Sequence, residues 1–72
     1  MKNLIGTKFN HKHAAGITEF TVKRPHERSA GYYICTQSKC VEGTHTELGA
    51  IWVVSGYNIE RQQNGLGHDY MR

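Results

Sequence analysis

The sequence contains no long apolar run, only one proline and only two cysteines. No stretch approaches the roughly 18 apolar residues of a membrane-spanning helix, which argues against an integral helical membrane protein. Residues 1–13 also lack the apolar core of a signal peptide, so we expect the chain to work in a reducing cytoplasm. In that compartment, thiols or metal ligands are expected before a permanent disulfide.

The motifs that mark common enzymes are missing as well. Gly65 and Gly67 stand in a polar stretch without a following helical pattern, so they do not form a phosphate-binding loop. The six carboxylates are scattered along the chain, and there is no paired-histidine zinc motif or nucleophile elbow. A chain of 72 residues also offers little material for a deep, preorganised pocket. We therefore expect a protein that is not an enzyme.

The composition nevertheless indicates a folded chain, with 38% apolar, 10% aromatic and 21% charged residues. Its length allows one small domain, and domains near this size bury only about 60% of their unfolded surface. We expect that domain to span residues 1–60. Residues 61–72 are polar and contain glycine, which is typical of a frayed C-terminal tail.

Apolar residues fall in short runs rich in β-branched and aromatic types, a pattern typical of strands. Phe20 and Val22 alternate with polar residues and should share one buried face, and Pro25 should end that strand. Trp52 lies in the most apolar run and is expected in the core. The predicted strands cover residues 4–9, 17–23, 31–36 and 50–55, and residues 55–59 form a last short strand or a single helical turn.

These elements predict an all-β domain of about five short antiparallel strands that form a small barrel or a strongly curled sheet. Across residues 5–60 the layout resembles that of SH3-like small barrels. The resemblance consists of the Gly6-Thr7-x-Phe9 opening, a long first loop, two central strands and a Trp52-Val53-Val54-Ser55 segment before a tight turn. The alternative is an open antiparallel sheet that pairs as a homodimer.

The segment CTQSKC, from Cys35 to Cys40, leaves three interpretations open. If it is a hairpin turn, the two cysteines face each other and a disulfide is within reach. Together with His11 and His13 they would supply the four ligands of a tetrahedral zinc site. Their four-residue spacing without a glycine knuckle weighs against zinc, so we expect no cofactor. The favoured interpretation is two free thiols, with Cys35 buried and Cys40 nearer water.

The net charge of +3 is distributed unevenly along the chain. Six basic and two acidic residues precede Ser29, whereas three basic and four acidic residues follow from there. A basic surface on one side favours an acidic partner. Tyr32 and Tyr33 should point to opposite faces of their strand, which leaves one of them as an exposed anchor. The candidate partner-binding residues are Lys8, Lys12, Lys23, Arg24, Arg28 and Tyr33.

We therefore expect a non-enzymatic interaction protein that binds a macromolecular partner through a basic, loop-rich face. A protein partner is favoured because a charge of +3 neutralises few phosphates. Small chains of this kind are common among phage and mobile-element accessory proteins or inhibitors, an association rather than a physical inference. The alternative is a small nucleic-acid-binding β-barrel whose tyrosine stacks on a base. A zinc-stabilised module and a thiol enzyme are weaker hypotheses.

Overall fold

A computed structural model describes residues 3–43 and 49–70. These residues form one four-stranded antiparallel sheet with the strand order β1-β2-β3-β4, followed by one helix. None of the described residues belongs to a helix long and apolar enough to cross a membrane. The elements are β1 (Lys8–His13), β2 (Gly16–Pro25), β3 (Tyr32–Gly43), β4 (Ile51–Ser55) and α1 (Gly56–Gln63).

The prediction of an all-β domain is correct only in outline, because one antiparallel sheet dominates but a helix is present, and the predicted barrel of five strands is wrong. The sheet has four strands and stays open, with β1 and β4 as its two edges. The segment 55–59, expected as a last short strand or a single helical turn, leads into α1, which is longer than one turn and contacts both β1 and β4. Because the helix covers one face of the sheet, the core is closed by a second layer rather than by pairing of the edges. We call the covered face the inner face and the opposite one the outer face.

The inner face and α1 together hold the apolar core. Phe20 and Val22 are buried side by side on β2, as the alternation predicted. The expectation that Trp52 lies in the core is wrong, because 39% of this residue is exposed although it lies on the inner face. It sits where the helix does not reach, against Phe20 at a ring-centre distance of 5.0 Å. The buried core residues are Leu4, Phe9, Phe20, Val22, Cys35, Val54 and Ile59.

CTQSKC does not form a hairpin turn, because it lies inside the twelve-residue strand β3. A tight turn instead lies at residues 14–15, between β1 and β2, and the residue after it, Gly16, must be glycine. A Cβ atom on Gly16 would lie 1.9 Å from the Glu42 carbonyl oxygen. Both cysteines are free. Five residues of extended strand span about 16 Å, whereas disulfide-linked Cα atoms lie about 4–7 Å apart. A bridge within one chain is therefore sterically excluded.

Helix α1 begins at a conventional cap and ends in a tail that is held in place. The Ser55 hydroxyl accepts a hydrogen bond from the Asn58 N–H at 3.2 Å. Asn58 is buried, and its amide forms two hydrogen bonds with the backbone of Asp69. Arg61 donates to the Leu66 and Gly67 carbonyl oxygens. The expected boundary at residue 60 thus falls inside α1, and residues 64–70 lie against the domain; residues 71–72 are outside the described part.

Candidate interaction surface

The outer face presents side chains in rows that cross the sheet. One row joins Lys8, Thr21, Thr36 and Ile51 across all four strands, according to the strand register. Lys8 confirms this placement, because its Nζ donates to Thr21 Oγ1 at 3.3 Å. The row beside it joins Arg24, Ile34 and Val53. Each row therefore changes from basic on the β1–β2 side to apolar at β4.

A β-bulge enriches the basic side of this face. The register of β2 with β3 shifts between Val22 and Arg24, so Lys23 is an extra residue in the strand. Both Lys23 and Arg24 are exposed. Arg24 also lies 3.6 Å from Glu27, but both side chains are largely exposed. Such exposed pairs contribute little to stability, so the Arg24 guanidinium is free to exchange Glu27 for another carboxylate.

The structure brings four of the six predicted partner-binding residues to the outer face: Lys8, Lys12, Lys23 and Arg24. Arg28 is exposed in the loop between β2 and β3, where its N–H donates to His26 Nδ1. Tyr33 lies apart from all of them, because it packs on the inner face against the core. Its neighbour Tyr32 is the exposed tyrosine on the outer side.

The sequence pattern did not single out the apolar residues at the β4 side of the outer face. Ile51 and Val53 belong to the most apolar run of the sequence, the predicted strand 50–55, yet both are exposed. Ile34 is half-buried between Arg24 and Val53. Strict alternation within the run would have assigned Ile51 and Val53 to one face. It could not show that this face lacks a covering layer.

The inner face carries a second polar feature, an aromatic cluster centred on His11. The His11 ring centre lies 5.1 Å from that of Trp52 and 5.5 Å from that of His68. His11 Nδ1 donates to Gln62 Oε1 at 2.6 Å, and Nε2 accepts a hydrogen bond from the Tyr70 hydroxyl at 3.2 Å. Both ring nitrogens are thus satisfied by the neutral imidazole. The cluster ties β1 to α1 and to the C-terminal residues.

Burial sets the ionisation of the cluster. Desolvation lowers the pKa of His11, and the nearby His13 lowers it further, while the hydrogen bond with Gln62 opposes the shift. Desolvation also lowers the pKa of His68, and the charge of His11 adds to that effect, whereas Asp69 opposes it. Folding therefore favours the neutral form of both histidines, a form with which the hydrogen bonds of His11 are compatible.

Beside this cluster the inner face opens into a shallow cleft of about 300 Å³. Its walls include Phe20 and Trp52, and its polar lining includes His13, Thr18 and Gln37. His13 is itself held in place, because Nδ1 accepts from the Ala15 N–H and Nε2 bonds to Thr18 Oγ1 at 2.7 Å. No carboxylate, lysine or arginine is among the described lining residues, so His11 and His13 are its titratable groups.

The four candidate zinc ligands do not converge in the sheet. Thr18 lies between His11 on β1 and Cys40 on β3, while Cys35 pairs with Val22 further along the strand. Among residues 3–43 and 49–70, no group of three or more histidine, cysteine or acidic side chains is arranged to hold a metal ion. Cys35 is fully buried, and burial raises the pKa of its thiol to about 11. Such a thiol is a poor nucleophile.

Comparison with protein-family models finds no match, and no curated protein or solved structure shows significant similarity to this chain.

Proposed function

We propose that the chain is a non-enzymatic interaction protein that binds an acidic protein partner through the outer face of its sheet. One observation carries the proposal. The face opposite α1 is not packed against any described helix or strand, and its rows join basic side chains to exposed apolar ones. Apolar contacts supply most of the energy of a protein interface, and charged residues at its rim set the preference for a partner.

The balance of charges favours a protein over nucleic acid. Lys8 approaches Glu19 at 3.8 Å on this face, and Lys39 pairs with the same glutamate across the strands. A carboxylate among the basic side chains of the outer face weakens the attraction of this face for a continuous line of phosphates. A protein surface can instead match the mixed charges with its own side chains. The accessory or inhibitor role expected from the sequence remains a prediction within this proposal.

Nucleic acid is the second candidate, because of the position of Tyr32. This exposed tyrosine pairs with Ser55 at the end of the outer face, one row beyond Arg24. A ring and a guanidinium so placed would allow a base to stack while a phosphate is bound. Binding through such contacts should weaken steeply between low and moderate salt.

The test is capture of binding partners from a nuclease-treated lysate of the source cells, with Arg24→Glu and Arg28→Glu as a matched pair of baits. Both substitutions reverse one charge, but Arg24 lies on the outer face and Arg28 in the adjoining loop. We expect wild type and Arg28→Glu to retain the same protein and Arg24→Glu to lose it about tenfold or more. Retention of nothing, or only of nuclease-sensitive material, contradicts the proposal; equal retention by all three baits places the contact elsewhere.

A further inference from the structure

Strand β4 is an edge strand that lacks the features with which proteins normally protect an edge. Its five residues, Ile-Trp-Val-Val-Ser, include no charge and no proline, and their register with β3 is without a shift. The nearest irregularity precedes the strand, where Gly49 and Ala50 both bond to Gln37. Lysine, proline and bulges are the usual protections against edge-to-edge pairing. The other edge strand, β1, has Lys8 and Lys12. The two edges of the same sheet are therefore built differently.

Three consecutive residues of β4 expose large apolar side chains. Ile51 is 68% exposed, Trp52 39% and Val53 49%. Ile51 and Val53 lie on the outer face and Trp52 on the inner face, so the apolar surface wraps around the edge. A monomer of this size buries a smaller fraction of its unfolded surface than a larger domain does. Covering the β4 edge with a second chain would remove exposed apolar area from water on both faces of the sheet.

The free hydrogen-bonding groups of the edge are identified by the bonds that β4 makes with β3. The Gln37 N–H donates to the Ala50 carbonyl, and the Gly56 N–H donates to the Gly31 carbonyl. Because backbone groups alternate in direction along an antiparallel strand, the even-numbered residues of β4 face β3. The backbone groups of Ile51, Val53 and Ser55 consequently point away from the sheet.

We propose that β4 pairs with β4 of a second copy of this chain, antiparallel about a two-fold axis at Val53. In this register the two Val53 residues face each other, and Ile51 faces Ser55 of the second copy. All three residues are those with outward backbone groups, so every paired position matches a donor with an acceptor. The absence of charge on β4 means that the symmetric pairing brings no like charges together. The β4 edge is thus complementary to the same edge of a second copy.

Pairing at β4 would join two sheets into one of eight strands. The Ile51 and Val53 side chains of both copies would form a continuous apolar strip at its centre, with the basic side chains of β1 and β2 on either side. This arrangement does not depend on the proposed function, but it would present the outer face in duplicate to a partner. Since the paired segment is only five residues long, the interface is at the small end of the known range. We expect dissociation at low micromolar concentrations.

The test compares amide hydrogen exchange of the full chain by NMR at about 10 μM and about 1 mM, with mass determination by sedimentation at both concentrations. We expect a dimer at the higher concentration, together with slower exchange of the Ile51, Val53 and Ser55 amides. The Trp52 and Val54 amides already bond to β3 and serve as internal controls. A monomer at about 1 mM overturns the proposal, and so does a dimer without protection at Val53. A ladder of larger species would indicate β1–β4 pairing and overturn it as well.

Two variants make the result specific to the edge. Val53→Pro removes an outward N–H without removing a bond to β3, and Ile51→Lys places a charge on the paired strand. Leu66→Lys is the matched control, because Leu66 is 61% exposed but lies far along the chain in the C-terminal segment. We expect both edge variants to stay monomeric at about 1 mM and Leu66→Lys to dimerise as wild type does. Dimerisation of folded Ile51→Lys with unchanged affinity contradicts the two-fold model even if Val53→Pro fails to fold.

Discussion

The position of the C-terminal segment depends on a side chain that no sequence pattern marks, Asn58. It is 1% exposed on α1. Its Oδ1 accepts from the Asp69 N–H at 2.7 Å, and its Nδ2 donates to the Asp69 carbonyl at 3.2 Å. One amide thus pairs with both backbone groups of one residue, as a neighbouring strand would. Substitution Asn58→Ala removes both of these bonds to the backbone of Asp69.

The magnitude follows from two hydrogen bonds at a partly buried position. Each contributes about 0.5–1.5 kcal/mol net, so detachment of residues 64–70 should become easier by about 1–3 kcal/mol. With a factor of ten for each 1.4 kcal/mol, the Asp69 amide should exchange roughly 5- to 150-fold faster. The segment keeps other attachments, including the bonds from Arg61 and a 3.3 Å bond from the Tyr57 hydroxyl to the Asp69 carboxylate. We therefore expect local opening rather than global unfolding.

Hydrogen exchange followed by NMR measures this opening directly. The control is Asn64→Ala, because Asn64 also offers an amide to a backbone carbonyl, that of Glu60, but is exposed. It should leave the Asp69 amide within about twofold of wild type, since a solvent-exposed bond of this kind contributes little. If Asn58→Ala stays folded and its Asp69 amide exchanges at the wild-type rate, the amide pair does not hold the segment and the reasoning is wrong.

Three further predictions concern the core and its titrating groups. Phe20→Ala should lower the free energy of unfolding by about 3–5 kcal/mol, because Phe20 is buried against the rings of Phe9, His11 and Trp52; chemical denaturation would measure it, and a loss below about 1 kcal/mol would contradict this packing. Cys40 should react with iodoacetamide in the native chain while the buried Cys35 reacts only after unfolding, as mass spectrometry with peptide mapping can show; equal native rates would refute the assigned burial. Folding lowers the pKa values of His11 and His68, so the unfolded chain binds more protons than the folded chain as the pH falls. The contribution of the two neutral histidines to stability is therefore complete above about pH 6.5 and is lost as the pH falls below that value towards the folded-state pKa values. Denaturation midpoints between pH 8 and 5 should show this loss, and the dependence should be smaller in His11→Gln.

The sequence pattern predicted the strands best where one face is apolar and the other polar. The alternation of Phe20 and Val22 with polar residues identified β2 and its buried face correctly. The second half of β3 was missed because its side chains, from Gln37 to Gly43, are mostly polar and carry no hydrophobic period. Thr36 and Ser38 lie on the uncovered outer face, where polar residues are acceptable in a strand. Their pairing partners, which are distant in sequence, determine the conformation.

Helix α1 was anticipated only as a single turn, and only as the alternative to a last short strand, for a related reason. Its buried residues are Asn58, Ile59 and Gln62, so two of the three are polar and the expected apolar stripe of an amphipathic helix is absent. Asn58 bonds to the backbone of Asp69 through both polar atoms of its amide. Gln62 accepts from His11 through Oε1, while its Nε2 is buried without a described partner. A propensity argument cannot anticipate such bonds, because both partners lie outside the helix. The barrel was predicted in error for the same reason. The sequence pattern did not indicate a helix long enough to cover the sheet, so closure of the sheet was the expected way to bury its apolar face.

The candidate interaction surface combines residues that could be predicted with residues that could not. Charge distribution along the sequence identified Lys8, Lys23 and Arg24, since a basic N-terminal half is visible without a structure. The apolar partners Ile34 and Val53 required the register, because only the β3–β4 pairing places them in the row that contains Arg24. Tyr33 could not be distinguished from Tyr32, because alternation separates the two faces without saying which one is covered.

The polar side chains of the inner face make it a less favourable docking surface than the outer face. His11, Thr18, Asn58 and Gln62 are buried there, and the described hydrogen bonds of His11, Thr18 and Asn58 join strands, helix and C-terminal segment. Buried polar groups are costly when one partner is removed, so a macromolecule entering from this side would have to replace bonds that the domain already makes. The polar contacts of the outer face, such as those of Lys8 with Thr21 and Glu19, are exposed or part-buried, and its apolar and basic groups are already exposed. The proposed recognition through the outer face would therefore gain apolar burial without breaking the buried hydrogen bonds of the inner face.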